Sequence, residues 1–534
     1  MTARQIEGEF RTVVDVLRAA ASVNADVEAY VEPAVGATPR RALTFGEWDR
    51  AADGVAGLFA EAGVTRGSVV CLILPSSIDY MVGYAAATRL GAITSGINPR
   101  LGGHEVSSIL QRTRPTVTVI DDGAGMPEGP AGTLLYRTAA MAASDGAPPG
   151  AWPDLEPTDP VAVVWTSGTT GLPKGAVFDH RRLAAVAAGT DTLSEPGDRR
   201  LSPLPFAHVG SMTRTWDEAA HAVTTVITPT PWKAADCVAV LGDERISVGQ
   251  GVPTQWALMM AEPALDATDL SSLRVVGTGA ARVPAELVAA MRERFGVPVI
   301  VRYTSTEASL GTGTVPGDLD EVVATTVGRP VPGVSLAIVD EAGSCVPGGE
   351  VGRVRIRSGA VMLGYWGGPP TGPGIEGVTF DEATTGLVLD DDGWLTTGDF
   401  GFVDEGGNLH LVGRANEMYI RGGYNVYPAE VESVLSAHPA VGQVAVVGAP
   451  DPVLGEIGVC FVVPAPEAEL TLDDLRGWSR ESLADYKSPD RLVTVESLPL
   501  TSMMKVDKRA LAQPAAEAAA TDHRMQTTTT ARNS

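Results

Sequence analysis

The sequence predicts a two-part α/β protein: a large N-terminal domain of packed β-sheets with flanking helices, and a small C-terminal α+β domain. Three observations carry this. The chain has 534 residues, more than one hydrophobic core serves well. Strand-like and helix-like patterns alternate along the first 120 residues, the signature of parallel sheets covered by helices. From Arg414 onward the text becomes a compact β/α/β unit of about 100 residues, the size of a separate domain.

The elements follow in order. "LTFGEWDRAADGVAGLFAEAGV" reads as a turn and an amphipathic helix, with Ala52, Val55, Ala56, Leu58 and Phe59 near one face. "SVVCLILP" is a buried strand, and "IDYMVGYAAATRLGAI" a helix leading to the next strand. Residues 121–160 are rich in Gly and Pro and are expected to form a surface loop. The alternation resumes at Val161, and a second breaker-rich stretch beginning at Gly367 reads as an exposed insertion. The boundaries expected are 1–413 for the large domain, 414–515 for the small one, and 516–534 for a low-complexity, disordered tail.

Composition narrows the function. Sixty-five acidic against 40 basic residues give a net charge of −25, which argues against nucleic-acid binding through a basic footprint. An anionic ligand must then rely on local donors, cations or a metal. The four cysteines stand singly, without the spacing of a zinc site, and suit a reducing compartment. No apolar run reaches the ~18 residues of a membrane span, and no signal peptide is evident, so a cytoplasmic protein without a membrane span is expected.

The first chemical motif is "VVWTSGTTGLPKG", residues 163–175. It is not a Walker loop: Gly168 to Gly171 is too short, and Pro173 and Gly175 around Lys174 disfavour the helix such a loop requires. It offers the hydroxyls of Thr166, Ser167, Thr169 and Thr170, backbone N–H groups around Gly168 and Gly171, and one flexible ammonium. That set suits a clamp on the outer phosphates of a nucleotide.

Four more motifs follow in order: "RYTSTE" (302–307), "GWLTTGD" (393–399), "GRANEMYIRGGYNVYPAEVE" (413–432) and "LPLTSMMKVDKRAL" (498–511). With "TSGTTGLPKG" they resemble the adenylate-forming superfamily, in its branch of acyl-CoA synthetases and fatty-acid or aryl CoA ligases. The resemblance spans Thr44 to Leu511. It implies a mobile C-terminal lid, ATP, Mg²⁺ and coenzyme A, and a small-molecule carboxylic acid as substrate. It further implies that Tyr303 flanks adenine, with Arg302 and Thr304 alongside, that Thr306 bonds the α-phosphate, and that Glu307 binds Mg²⁺. "GTGAARV" resembles the loop lining adenine and the acyl group through Gly279, Ala280 and Ala281. Asp399 would take the ribose hydroxyls together with Arg414, 15 residues later. Lys505 would be the catalytic lysine, acting with Thr306 and Glu307.

On the same basis Gly422, Gly423 and Tyr424 would line the pantetheine tunnel, and Asn416 and Glu417 the hinge. Ala207, His208, Gly210, Thr278, Gly279, Ser305 and Gly311 would line the acyl site; Ala207, Gly210 and Ser211 around His208 and the stretch "SLGTGT" after Glu307 are small, which suggests room for a bulky or long hydrophobic acid. The sequence departs from the family pattern at Thr304 and Met504, where glycine is usual, and at Leu500, where arginine is usual. Two readings stay open: a complete acyl-CoA synthetase, or an adenylating enzyme that passes acyl-AMP to a partner ligase or carrier protein. The chain is expected to be a monomer or homodimer.

Overall fold

The computed structural model describes residues 3–166, 173–281, 283–368, 371, 377–501 and 504–530. A six-stranded sheet is ordered 133–136, 117–120, 69–73, 93–96, 160–166, 174–179, and only its last strand runs antiparallel. A nine-stranded sheet has a parallel centre, from Val299–Tyr303 through Val275–Gly279 and Val248–Gly251 to Glu28–Glu32, with antiparallel edges. The βα alternation read from the sequence is therefore realised in two sheets.

Between them lies the helix Ile78–Arg89, buried at every residue. Such a helix must be apolar all round or neutralise its charges. Arg89 does the latter, pairing at 2.5 Å with both Asp49 and Asp53 of the neighbouring helix Phe45–Glu61. On that neighbour Ala52, Val55, Ala56 and Phe59 are buried as the periodicity predicts, while Leu58 is half-buried.

A four-stranded antiparallel sheet, 334–339, 352–358, 395–403, 409–414, completes the large part. Arg414 is its last residue, so the chain leaves the large domain just after it. The small domain folds around the long antiparallel pair Val441–Asp451 and Gly455–Pro464, with the hairpin 419–426 and the strand Arg491–Thr494 on the same sheet.

Two expectations change. Residues 121–160 are not all loop: Thr133–Tyr136 adds a parallel strand to the six-stranded sheet and Arg137–Met141 is helical. This segment is packed down on the helix Phe45–Glu61: Gly54 and Gly57 lie so close to the backbone of residues 143–147 that a Cβ at either would overlap a carbonyl oxygen. The disordered tail was placed to begin at 516, yet Lys508–Thr530 is helical, and Ala515 and Ala519 are buried in the small domain's core. A low-complexity composition conceals the alanines that face inward. Of the insertion at Gly367, residues 369–370 and 372–376 lie outside those described, while Trp366–Gly368 forms a short strand.

Candidate active site

The phosphate-loop motif lies between two strands that pair antiparallel, 160–166 and 174–179. Thr166 ends one strand and Lys174 opens the next, and the two are direct partners. A strand beginning at Lys174 agrees with the Pro-Lys-Gly reading against a helix. Ser167, Gly168, Thr169, Thr170 and Gly171 lie outside the described residues. Arg112 braces the strand pair: its guanidinium donates to Pro173 O at 2.6 Å and Trp366 O at 2.8 Å, and lies over the Trp165 ring.

The Lys174 ammonium sits 5.4 Å from the centre of the Tyr365 ring. The same tyrosine donates its hydroxyl to Glu307 Oε1 at 2.7 Å, and Met362 N–H donates to the Glu307 carbonyl at 2.8 Å. Two motifs separated by 133 residues thus meet through a residue that no motif contained. Among the described residues, no group of three or more His, Cys, Asp and Glu gathers as a metal site. One carboxylate completed by substrate phosphates is nonetheless a normal Mg²⁺ arrangement, and Glu307 fits it, with one oxygen oriented by Tyr365.

Asp399 and Arg414 are direct partners across the antiparallel strands 395–403 and 409–414, which explains their 15-residue spacing. Arg414 Nε donates to Asp399 Oδ1 at 3.0 Å and Tyr303 Oη to Oδ2 at 2.7 Å. Burial, joined by the Asp399 charge, pushes the Tyr303 hydroxyl well above its ordinary range, so it remains a donor. Tyr303 is expected beside adenine; in the structure its hydroxyl orients the Asp399 carboxylate. Arg302 is different. Successive strand residues face opposite sides, and its guanidinium lies against Gly313 and toward Thr192 Oγ1 at 3.4 Å. The structure does not bring that side chain to Asp399.

The loop Gly279-Ala280-Ala281 follows the strand Val275–Gly279. Gly279 packs on the Arg302 carbonyl too closely for a Cβ, and Ala280 adopts φ +62 to turn the chain away. Gly311 makes the same kind of approach to the Tyr303 carbonyl. Thr278 is buried, Thr304 Oγ1 donates to Ser305 O at 3.2 Å, and Ser305 Oγ accepts Ala308 N–H at 3.2 Å. Thr306 and Glu307 sit in the turn between these residues.

His208 caps the short helix Val209–Met212, with Nδ1 accepting Gly210 N–H at 3.2 Å. Burial, with a smaller push from the Lys505 charge, lowers its pKa to about 3, so the ring is neutral and offers Nε2–H. Ala207 is half-buried and Gly210 exposed, and a Cβ on Gly210 would stand 3.3 Å from Leu204 Cδ1. Asp217 is fully buried. It is occupied by Thr190, Ser194, Arg200, Arg214 and His221, which hold its carboxyl below the usual range against the cost of burial.

Lys505 reaches this cleft from the small domain. Burial and the Arg414 charge lower its pKa to about 8, with Asp399 opposing them. Its loop closes on itself: Thr501 N–H donates to Lys505 O at 2.7 Å, and Lys505 N–H to Thr501 Oγ1 at 3.3 Å. Lys505 therefore feels both Asp399 and Arg414 and acts on His208, uniting the last motif with the third, the fourth and the acyl segment.

A family model described as AMP-binding enzyme matches residues 17–366, which hold the first two motifs. A second, AMP-binding enzyme C-terminal domain, matches 430–505. The chain belongs to the AMP-binding enzymes. Indoleacetate–CoA ligase of Aromatoleum aromaticum is 32% identical over 490 residues, covering 88% of this chain and 92% of that protein. The long-chain-fatty-acid–CoA ligase FadD13 of Mycobacterium tuberculosis is 31% identical over 515 residues, covering 93% and 97%. Among solved structures, the anthranilate CoA ligase AuaEII in complex with anthranoyl-AMP superposes with a TM-score of 0.84. It is 26% identical, with 96% of this chain and 99% of that one covered. This AMP-binding enzyme stands in the acyl-CoA ligase branch and is an AMP-forming acid–thiol ligase.

The remaining expected residues lie on the small domain. Gly422 (φ +58) and Gly423 (φ +88) form the two-residue turn of the hairpin 419–426. That turn by itself demands left-handed backbone, so the two glycines have a local cause as well as the pantetheine role expected of them. Tyr424 is 57% exposed and stacks on Tyr486. At the expected hinge residues, Glu417 N–H donates to Arg414 O, the Glu417 carboxylate pairs with Lys508 at 2.8 Å, and Asn416 stands just before it. Tyr365, Arg112 and Lys508 escaped the sequence reading because each acts through a contact with a distant segment, which no local spacing records. Among the described residues, no helix is long and apolar enough to cross a membrane.

Proposed function

We propose that this enzyme activates a bulky or long hydrophobic carboxylic acid with ATP and transfers it to coenzyme A. The observation carrying the proposal is Lys505 of the small domain placed within electrostatic reach of Asp399, Arg414 and His208. In the first half-reaction a carboxylate oxygen attacks the α-phosphorus, and pyrophosphate leaves as the P–O bond breaks. Two anions must approach, so positioning and charge neutralisation dominate. Asp399, held by Tyr303 and Arg414, accepts the ribose hydroxyls and fixes the nucleotide. Lys505 bridges the carboxylate and the α-phosphate, and Lys174 draws the pyrophosphate away. Glu307 would hold Mg²⁺, which would supply further neutralisation of the phosphates. In the second half-reaction the CoA sulfur attacks the acyl carbon, the thiol proton goes to solvent, and AMP leaves.

The small side chains at Ala207, Gly210 and Gly311 and the neutral His208 favour an apolar acyl chain, and the named acids of the two relatives, indoleacetate and a long-chain fatty acid, are hydrophobic. The test is ATP–pyrophosphate exchange with a panel of short, long-chain and aryl acids, repeated with CoA. Exchange with large hydrophobic acids and formation of their CoA thioesters is expected. Exchange without thioester selects the enzyme that hands acyl-AMP to a partner, and absence of exchange with every acid overturns the proposal.

A further inference from the structure

Tyr365 occupies a junction that the reaction scheme above does not use. Its hydroxyl is 2.7 Å from Glu307 Oε1, the Lys174 ammonium lies over its ring at 5.4 Å, and the residue is only 4% exposed. The segment carrying it is fastened on three sides. Met362 N–H bonds the Glu307 carbonyl, and Leu363 and Gly364 exchange backbone bonds with Val177 of the strand that Lys174 begins. Tyr365 itself bridges Ala176, and its N–H donates to Thr385 Oγ1 at 2.9 Å. One residue farther on, Trp366 Nε1 donates to Arg112 O at 3.0 Å, while Arg112 grips Pro173 and Trp366. The tyrosine ring is thus held from its backbone, and it projects between two charged groups supplied by different strands and loops.

We infer that Tyr365 is a positioning residue for polyphosphate binding, setting Glu307 and Lys174 at a fixed separation. The inference rests on the roles given above to those two residues. A hydroxyl donated to one carboxylate oxygen leaves the other turned outward in a single orientation. The ring face, in turn, holds the ammonium without neutralising it, because a cation–π contact removes no charge. A carboxylate partner for Lys174 would cancel the positive charge needed at the leaving pyrophosphate; an aromatic face does not. The arrangement therefore concerns the β- and γ-phosphates and their metal, and leaves the AMP portion, held at Asp399, outside its reach.

Tyr365→Phe removes the bond to Glu307 and keeps the ring under Lys174; Tyr365→Leu removes both. Binding of ATP with Mg²⁺, and of AMP, is measured by titration calorimetry on wild type and both variants, with unliganded thermal melts beside them. Tyr365→Phe is expected to weaken binding of ATP with Mg²⁺ about tenfold, as loss of a hydrogen bond to a charged group does. It should raise the Mg²⁺ concentration for half-maximal ATP binding and leave AMP binding unchanged. Tyr365→Leu should lose a few-fold more.

In a Glu307→Gln background, Tyr365→Phe should cost little further affinity. Equal weakening of AMP and ATP, unchanged binding in both variants, or fully additive losses in the double variant overturns the inference. Wild type that binds AMP but no ATP with Mg²⁺ overturns the underlying reading of Glu307 and Lys174 as well, a result distinct from variants that match a competent wild type.

Discussion

Met504 illustrates how single residues record what a site demands. It adopts φ +58 immediately before Lys505, in the tight loop where Met504 N–H donates to Thr501 O at 2.9 Å. The left-handed region costs an L-residue roughly 1–2 kcal/mol and costs glycine almost nothing. The family's glycine at this place therefore has a conformational reason, and the methionine here adopts the same conformation at a cost. Met504→Gly should leave stability unchanged or raise it by up to about 1 kcal/mol, the relief of strain being partly offset by the greater freedom of the unfolded chain. Met504→Ile, β-branched, should lower it. Urea denaturation monitored by tryptophan fluorescence checks both, and a stabilising isoleucine would contradict the account.

At the level of elements, Lys508 ties the helix that follows the catalytic loop to two other segments. Its ammonium lies 2.8 Å from Glu417, an expected hinge residue, and 2.8 Å from Glu432 of the helix Pro428–Ser436. Glu432 is largely buried and also accepts Val446 N–H at 2.7 Å. Burial opposes the Lys508 charge, and the two carboxylates outweigh it, keeping the ammonium protonated beyond its ordinary range. Lys508→Met should leave Glu432 short of a partner and cost roughly 1–3 kcal/mol. It should also slow acyl-AMP formation by loosening the segment that carries Lys505. Denaturation and single-turnover adenylation on the same variant test the pair of effects; a stable variant with normal adenylation would remove Lys508 from the device. The hairpin joining Asp399 to Arg414 needs no such brace, because strand register alone sets those partners side by side.

For the molecule as a whole, a chain of net charge −25 gathers Lys174, Arg414 and Lys505 at the motifs where phosphate is expected. Lys505 carries the pH dependence. Its pKa is lowered to about 8 by burial and by Arg414, with Asp399 opposing, so the ammonium is present below that value and lost above it. His208, lowered to about 3, stays neutral throughout this range. The kcat/KM for acyl-AMP formation, which reports the free enzyme, should therefore fall as pH rises through about 8. Thioester formation from supplied acyl-AMP should lack that falling limb. Lys505→Ala should reduce adenylation by roughly 10²–10³, the loss typical of one preorganised donor, and affect the second half-reaction much less. Equal loss in both half-reactions would overturn the assignment.

How much was legible follows from where the information resides. Strand and helix alternation, the exclusion of a Walker loop and the Asp399–Arg414 spacing stand in the sequence as local patterns, because period and register repeat within a few residues. Other features exist only after folding. The sequence carries no mark that Tyr303 orients Asp399, that Arg302 turns away from it, that Asp217 is fully occupied, or that Tyr365 stands between Glu307 and Lys174. Nor does a Gly/Pro-rich stretch announce that residues 133–136 extend a sheet, or an alanine-rich tail that Ala515 and Ala519 close a core. The sequence by itself determined the family and named the residues expected to carry its chemistry. The tertiary structure decided which side chains touch, since hydrogen bonds and packing act across space between residues that chain order keeps far apart.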